Sequence, residues 1–187
     1  VVNPNQAGCT YPDKDLAGVG VALKLAQALL NEAADSRLMN EFLEIAAIGT
    51  VADVMKLTGE NRSIVSLGLK ELARSRNLGL RALMEISDCS SEMTSLHIGF
   101  RIAPRINAAG RMDVARHVVE LLEAGDMAAA RRFAGLLDRR NRERQRTQQE
   151  ITEMALMESA AYADQGFVVV GGEGWHRGVI GLAASKI

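Results

Sequence analysis

The sequence has very few cysteines and no long apolar run. Only Cys9 and Cys89 occur among the 187 residues, and neither belongs to a CxxC pair or to a Cys/His cluster. Two distant cysteines exclude a disulfide-rich scaffold, argue against a zinc site and predict a reducing compartment, most simply the cytoplasm. No apolar run approaches the roughly 20 residues that span a bilayer, so a membrane protein is not expected.

Several catalytic and nucleotide-binding motifs are missing as well. The sequence has no GxSxG, no P-loop and no GxGxxG, so hydrolase-elbow, NTPase and dinucleotide-binding functions lack support. It begins without an initiator Met or a signal-peptide pattern, and it ends inside an amphipathic pattern without a stop signal. We therefore expect the sequence to be an internal piece of a longer protein.

The composition that remains is that of a folded protein with mostly helical structure. Apolar residues make up 48% of the chain and charged residues 24%, which is typical of a globular domain and excludes a disordered chain. Apolar residues recur at three- and four-residue spacing through most of it, which predicts helices. Residues 127–163 form the longest predicted helix, Pro104 is predicted to end another, and residues 1–2 and 167–170 have strand character. Two incomplete α/β domains joined by a long helix would give this order.

Asp53 is the first candidate for chemistry, because it follows a strongly apolar segment. A carboxylate that emerges from a buried segment needs a hydrogen bond, an ion pair or a bound cation. A helix cap or a salt bridge is the ordinary explanation, and a ligand for Mg²⁺ or Mn²⁺ is the alternative, since hard cations prefer carboxylate oxygens. One carboxylate does not make a metal site, so further ligands would have to come from elsewhere.

Residues 100–111 form the second candidate, with arginines and an asparagine placed among small residues. Arg101, Arg105, Asn107 and Arg111 offer donors that suit phosphate oxygens, and Gly110 with its small neighbours would let a ligand approach the backbone. A solvated loop is the alternative. We expect Pro104 and Gly110 to fix a turn here, and we interpret the segment as a phosphate or nucleic-acid contact.

Two further basic features have both ordinary and functional interpretations. A run of seven arginines is either a solvated helix face or a stripe that follows a nucleic-acid backbone, and few aromatic residues stand among them for base stacking. His176 follows Trp175 in the loop between the predicted last strand and last helix, where it either lies at the surface or donates to an anion. His97 and His117 are expected to be structural. The run comprises Arg131, Arg132, Arg139, Arg140, Arg142, Arg144 and Arg146.

These segments, in this order, resemble the RecJ-type exonucleases of the DHH phosphoesterase superfamily. The Asn-Ala-Ala-Gly-Arg block at residues 107–111 is specific to that branch, and the resemblance covers nearly the whole chain. The other matching segments are 2–6, 15–22, 49–54 and 175–181.

The resemblance implies stepwise 5′→3′ hydrolysis of single-stranded DNA with two Mn²⁺ or Mg²⁺ ions, in recombination and repair. It implies an α/β fold in three parts: the C-terminal part of a DHH catalytic domain (1–126), an interdomain helix (127–163) and the start of a DHHA1 domain (166–187). Asp53 would ligate a metal, and Arg101, Arg105, Asn107, Gly110, Arg111 and His176 would contact DNA. The family's Asp-rich and Asp-His-His motifs are absent from these residues, so this chain alone is expected to be inactive.

The resemblance also implies a monomer, with helicases or single-strand-binding proteins as partners. Two alternatives stay open on the sequence. One is a DHH phosphoesterase that acts on short oligonucleotides or cyclic dinucleotides. The other is a catalytically degenerate relative that binds single-stranded DNA or a replication partner without cutting.

Overall fold

The computed structural model describes residues 2–30, 36–89, 92–112, 115–162 and 164–187, and their regular structure is helical. Helix α5 passes without interruption through a π turn, Ile98–Ile102, into α6, and a short 3₁₀ turn, Ala160–Tyr162, follows α8. The helices are α1 Gly18–Leu30, α2 Ser36–Ala52, α3 Gly59–Leu72, α4 Leu78–Ile86, α5 Ser95–His97, α6 Ala103–Arg111, α7 Arg116–Leu122, α8 Met127–Ser159 and α9 Ile180–Ala184.

The main core lies where the first half of α8 packs against α4, α6 and α7. The side chains of Leu80, Ile102, Leu121 and Leu137 are almost completely buried there. The helices α4 and α7 approach very closely, because a Cβ atom at Gly79 would lie 2.0 Å from the backbone oxygen of Leu121. This core fixes α6, which carries most of the candidate site residues, against α8.

A second core lies between α1, α2 and α3. Beside it, a buried asparagine makes hydrogen bonds to backbone groups of distant parts of the chain. The side chain of Asn61, in the first turn of α3, is fully buried. Its amide donates to the backbone oxygens of Asp15 (2.7 Å) and Lys56 (3.1 Å), and its oxygen accepts from the amide of Ala17 (3.2 Å). The polarity of Asn61 is therefore used to satisfy buried backbone groups, which a sequence pattern does not reveal.

The long predicted helix is present as α8, and the side chain of Asp126 caps its start by accepting from the amide of Ala129 at 2.7 Å. Its second half packs against α9, with Ile151 and Val179 buried between them. The ring of Trp175 packs against this small core. None of the described helices is both long and apolar enough to cross a membrane.

The strand predicted at residues 167–170 is not present. These residues have no regular structure, and Phe167 and Val169 are exposed. A strand is stabilised by hydrogen bonds to a neighbouring strand, and none of the described residues forms one. At the other end, Val1 lies outside the described residues and Val2 is exposed without strand structure.

The helix predicted to end at Pro104 instead continues to Arg111. Pro104 stands in the first turn of α6, where the missing amide hydrogen removes no necessary hydrogen bond. The preceding π turn has the wider bonding pattern, in which the amide of Ala103 donates to the oxygen of Ile98. Residues 105–111 therefore form a helix and not the predicted turn.

An acidic side chain of α2 is buried in the body of the fold. Glu44 on α2 is 3% exposed and accepts a 2.5 Å hydrogen bond from the hydroxyl of Ser75. Burial raises the pKa of this carboxyl above its ordinary value, and the hydrogen bond from Ser75 opposes that shift in part. The folded chain therefore holds a proton at Glu44 more tightly than the unfolded chain does.

Candidate nucleic-acid and metal-binding site

The candidate residues of α6 divide into an exposed face and a buried face. Asn107, Gly110 and Arg111 are exposed, and their spacing of three and four residues places them on one side of the helix. Ala108 and Ala109 are buried in the core. These alanines were expected to let a ligand approach, but their small size instead lets α6 pack against its neighbours.

Gly110 differs from the alanines because nothing among the described residues occupies the space beside it. A Cβ atom added there would have no neighbour within 4 Å. Glycine inside a helix is less favourable than alanine by about 1 kcal/mol, and no packing contact of the described chain requires it. An exposed glycine is expected where another molecule comes close to the backbone.

Arg105 is held inside the protein by an acid of α8. Its Nε and Nη2 atoms both lie 2.9 Å from Oδ1 of Asp138, and Nη1 donates to the backbone oxygen of Arg101 at 2.5 Å. Asp138 also accepts from Arg142, at 2.8 Å. The pair joins α6 to α8, so Arg105 has a structural partner that the sequence did not reveal.

Arg101 is also occupied, although more loosely. Its Nη1 atom donates to the backbone oxygen of Asp88 and lies 3.8 Å from the carboxylate of the same residue. The Arg101 side chain is 45% exposed. Such a surface contact contributes little free energy and is easily exchanged for another anion.

Arg111 meets the loop that contains His176. Its Nη1 atom donates to the backbone oxygen of Gly178 at 3.2 Å. A Cβ atom at Gly178 would lie 2.6 Å from the backbone oxygen of Arg111, so only glycine permits this approach. His176 accepts from the amide of Gly178 through Nδ1 at 3.1 Å. The Nε2 atom of the half-buried imidazole is then the protonated one and serves as a donor.

The arginine run on α8 is for the most part a salt-bridged, solvated face, as in the ordinary interpretation. Arg131 makes a double contact with Glu85, at 3.1 and 3.2 Å. Arg132 lies over the ring of Phe133. The other ion pairs of the run are Arg140 with Glu143, Arg142 with Asp138 and Arg146 with Glu150.

The two remaining histidines have structural contacts, as expected. His97 takes part in the capping of α5: its Nδ1 accepts from the amide of Thr94, and the hydroxyl of Thr94 accepts from the amide of His97. The ring of His117 stacks on Phe133.

Asp53 lies at the C-terminal end of α2 in a Schellman turn. The amide of Val54 donates to the oxygen of Val51 and the amide of Met55 to that of Thr50, which closes the helix. Val54 has a φ of +54°, in the left-handed region where glycine is usual. For a β-branched residue this is a strained conformation of the kind found at functional sites.

The carboxylate of Asp53 is exposed and makes no hydrogen bond or ion pair with the described residues. The expected helix cap or salt bridge is therefore not found. The apolar segment that precedes Asp53 ends at the protein surface, where this carboxylate is exposed. An acid at a helix C-terminus faces the negative end of the helix dipole, and a nearby cation would offset that repulsion.

The described residues hold one candidate ligand for a divalent metal, Asp53, and do not form a complete metal site. Among them no group of three or more His, Cys, Asp or Glu side chains comes together as a metal site would require. Asp53 fits the oxygen chemistry that Mg²⁺ and Mn²⁺ prefer. Any complete site would need ligands from other residues.

Comparison with known proteins decides the family. The chain is 45% identical over 189 residues to the single-stranded-DNA-specific exonuclease RecJ of Bacillus subtilis, and 33% identical over 204 residues to that of Escherichia coli. Both matches cover 100% of this chain. The chain belongs to the RecJ family. No protein-family model matches it.

Solved RecJ structures show the same fold. The crystal structure of RecJ in complex with Mn²⁺ from Thermus thermophilus matches 97% of this chain with a TM-score of 0.81 and 34% identity. A crystal structure of exonuclease RecJ bound to manganese matches 98% with a TM-score of 0.80. The chain spans 23% and 35% of the two curated relatives and 27% and 45% of these structures. The resemblance inferred from the residues is therefore confirmed.

Three features of the site in this RecJ-family chain could not be predicted from the sequence. They are the pairing of Asp138 with Arg105, the strain at Val54 and the difference between Arg144 and the rest of the arginine run. The only available signal was the valine directly after the Gly-Thr-Val-Ala-Asp segment, where a helix end usually has glycine.

Proposed function

We propose that this chain is part of a metal-dependent, single-stranded-DNA-specific exonuclease that works in the 5′→3′ direction in recombination and repair. The observation that carries the proposal is the match of the whole chain to RecJ exonucleases, in a structure that keeps Asp53 exposed and sets Arg111 against the His176 loop. The exonuclease names of the curated relatives favour this function over a relative that binds DNA without cutting it.

Each candidate residue has a role in this proposal. Asp53 ligates Mn²⁺ or Mg²⁺ together with acids and histidines outside this chain, and two such ions activate water and stabilise the leaving oxygen. Asn107, Arg111 and His176 contact phosphates of the strand, and Gly110 lets the strand approach α6. Arg105 positions α6 through Asp138, and Arg101 can exchange Asp88 for a phosphate.

The proposal also covers the domain organisation. Residues 1–126 are assigned to the C-terminal part of a DHH domain of α/β class, residues 127–163 to the connecting helix and residues 166–187 to the start of a DHHA1 domain. Residues 167–170 would become a strand only when neighbouring strands pair with them. Free thiols at Cys9 and Cys89 support the cytoplasmic location, and a monomer with helicase or single-strand-binding partners completes the proposal.

The test compares the 187-residue chain with the protein encoded by the whole open reading frame. Both are incubated with a 5′-phosphorylated single strand, the matching duplex and a dinucleotide, in Mn²⁺, Mg²⁺ or EDTA. We expect the whole protein to degrade the single strand stepwise only with metal, and the chain alone to be inactive. Preference for the dinucleotide would favour the short-oligonucleotide phosphoesterase, and binding without cleavage would favour the degenerate relative.

The metal role of Asp53 is tested by Asp53→Asn in the whole protein. We expect the rate of DNA degradation to fall at least about 100-fold. Loss of a residue that only orients a metal ligand lowers metal affinity or activity by roughly 10- to 100-fold, and loss of a ligand itself should cost at least as much. Asp164→Asn is the matched control, because Asp164 is also exposed but lies outside the proposed site. Equal rates for the two variants would exclude Asp53 as a ligand.

A further inference from the structure

Arg144 stands apart from the other arginines of α8. It is half-buried, and its guanidinium donates only to amide oxygens, to Oδ1 of Asn141 at 2.7 Å and to Oε1 of Gln148 at 2.9 Å. Within the described part of the chain no carboxylate pairs with it. Arg132 and Arg139 also lack an acidic partner there, but both are exposed to water.

A second cation, which has no acidic partner among the described residues, lies near it. Arg111 of α6 is close enough to repel Arg144, and its only described hydrogen bond goes to the backbone oxygen of Gly178. Burial lowers the pKa of the Arg144 guanidinium, and the charge of Arg111 lowers it further. Arg144 is half-buried and Arg111 is exposed, and two like charges near each other are unfavourable unless an anion joins them.

The surroundings of Arg144 fix its direction without neutralising it. Asn141 is 4% exposed, so this acceptor is immobilised within α8. Gln148 donates in turn to the backbone oxygen of Leu182 in α9, at 3.5 Å. Guanidinium has five N–H donors, so most of those of Arg144 remain for a ligand. A structural arginine would be expected to meet a carboxylate here, as Arg105 does at Asp138.

We propose that Arg144 and Arg111 together bind one phosphate group of a nucleic-acid strand, which makes α8 part of the binding site as well as a connector. The inference rests on the proposed function for the identity of the ligand, a phosphodiester of single-stranded DNA. Forked guanidinium groups match phosphate oxygens in pairs, and the shared anion would remove the repulsion between the two arginines.

The experiment compares Arg144→Gln with Arg146→Gln in the 187-residue chain. Arg146 lies two residues further along α8, is 84% exposed and pairs with Glu150, so it controls for the loss of one positive charge. Two quantities are measured: the affinity for a fluorescent 20-nucleotide oligo(dT) over a range of NaCl concentrations, and the melting temperature with inorganic phosphate or with chloride at equal ionic strength.

We expect Arg144→Gln to weaken oligo(dT) binding roughly tenfold, the effect of one lost charged hydrogen bond. The slope of log affinity against log salt should become shallower by about 0.7, as for one phosphate contact on a single strand. Arg146→Gln should change the affinity less than about twofold. Inorganic phosphate should raise the melting temperature of the wild type more than that of Arg144→Gln. Without phosphate, Arg144→Gln should melt no lower than the wild type.

The outcomes separate this inference from the proposed function. If oligo(dT) binds and Arg144→Gln binds it as tightly as Arg146→Gln does, the inference is overturned while the proposed function stands. If oligo(dT) does not bind but phosphate stabilises the wild type over Arg144→Gln, the anion site is upheld, and the assignment of single-stranded DNA as its ligand, which rests on the proposed function, is wrong. If neither anion acts through Arg144, or if Arg144→Gln only lowers the melting temperature, Arg144 is structural and the inference is wrong.

Discussion

The ion pair between Arg105 and Asp138 gives the sharpest prediction for stability. The side chains are 18% and 10% exposed, so removing one charge leaves the other largely cut off from water. Breaking a fully buried pair costs about 3–5 kcal/mol. The cost should be lower here, because Arg105 also donates to the backbone oxygens of Arg101 and Ile86 and an asparagine would keep one acceptor. We therefore expect Asp138→Asn to lower the free energy of unfolding by about 2 kcal/mol.

The matched control removes the other arginine that contacts Asp138. The side chain of Arg142 is 68% exposed, and an exposed ion pair contributes about 0–1 kcal/mol. Arg142→Gln should therefore cost less than half as much as Asp138→Asn. For a chain of this size, 2 kcal/mol corresponds to a fall in melting temperature of about 4–8 °C.

Urea unfolding followed by helical circular dichroism at 222 nm measures the difference directly. Comparison of midpoints requires that the dependence of unfolding free energy on urea is unchanged between variants. If Asp138→Asn costs no more than Arg142→Gln, the pair does not anchor α6 to α8. Arg105 would then be available to a ligand, and its assignment as a positioning residue would be wrong.

Three further predictions use the same unfolding assay. Val54→Gly should raise the free energy of unfolding by roughly 0.5–1 kcal/mol, because glycine adopts a left-handed φ without strain. The Val54 side chain is 88% exposed, so its removal loses no packing. Equal stability of the two proteins would show that the backbone at Val54 is not strained. Gly79→Ala should lower the free energy of unfolding by at least about 2 kcal/mol, since its Cβ would collide with the backbone of Leu121. A loss below 0.5 kcal/mol, roughly that of an ordinary surface substitution, would contradict the close contact between α4 and α7. Glu44→Gln should stabilise the chain by about 1 kcal/mol at pH 7.5 by removing a buried charge. Because folding raises the pKa of Glu44, this advantage should disappear as the pH falls below its ordinary pKa of 4.5, and an advantage that persists at pH 4 would refute the argument.

Local sequence patterns were enough to predict the mostly helical structure and the family. The spacing of apolar residues predicted helices through most of the chain, including the long helix that is observed as α8. Both follow from local chemistry, because helix periodicity and capping depend on neighbours within one or two turns. The family followed from the blocks around Asp53 and Arg111, which are continuous stretches of chain.

The roles of the polar residues depend on how the helices pack and could not be predicted from the sequence. Arg105 pairs with Asp138, which lies 33 residues away along the chain. Asn61 accepts from the backbone amide of Ala17, which lies 44 residues away. No periodic pattern encodes such pairs, because they form where separate helices pack. The same packing brings Arg111 close enough to Arg144 to repel it, and neither arginine has an acidic partner among the described residues, although Arg144 looks like any other member of its run in the sequence. The charge of each residue can be read from the sequence. Its burial and its hydrogen-bond or ion-pair partners are set by the packing of helices that are distant along the chain.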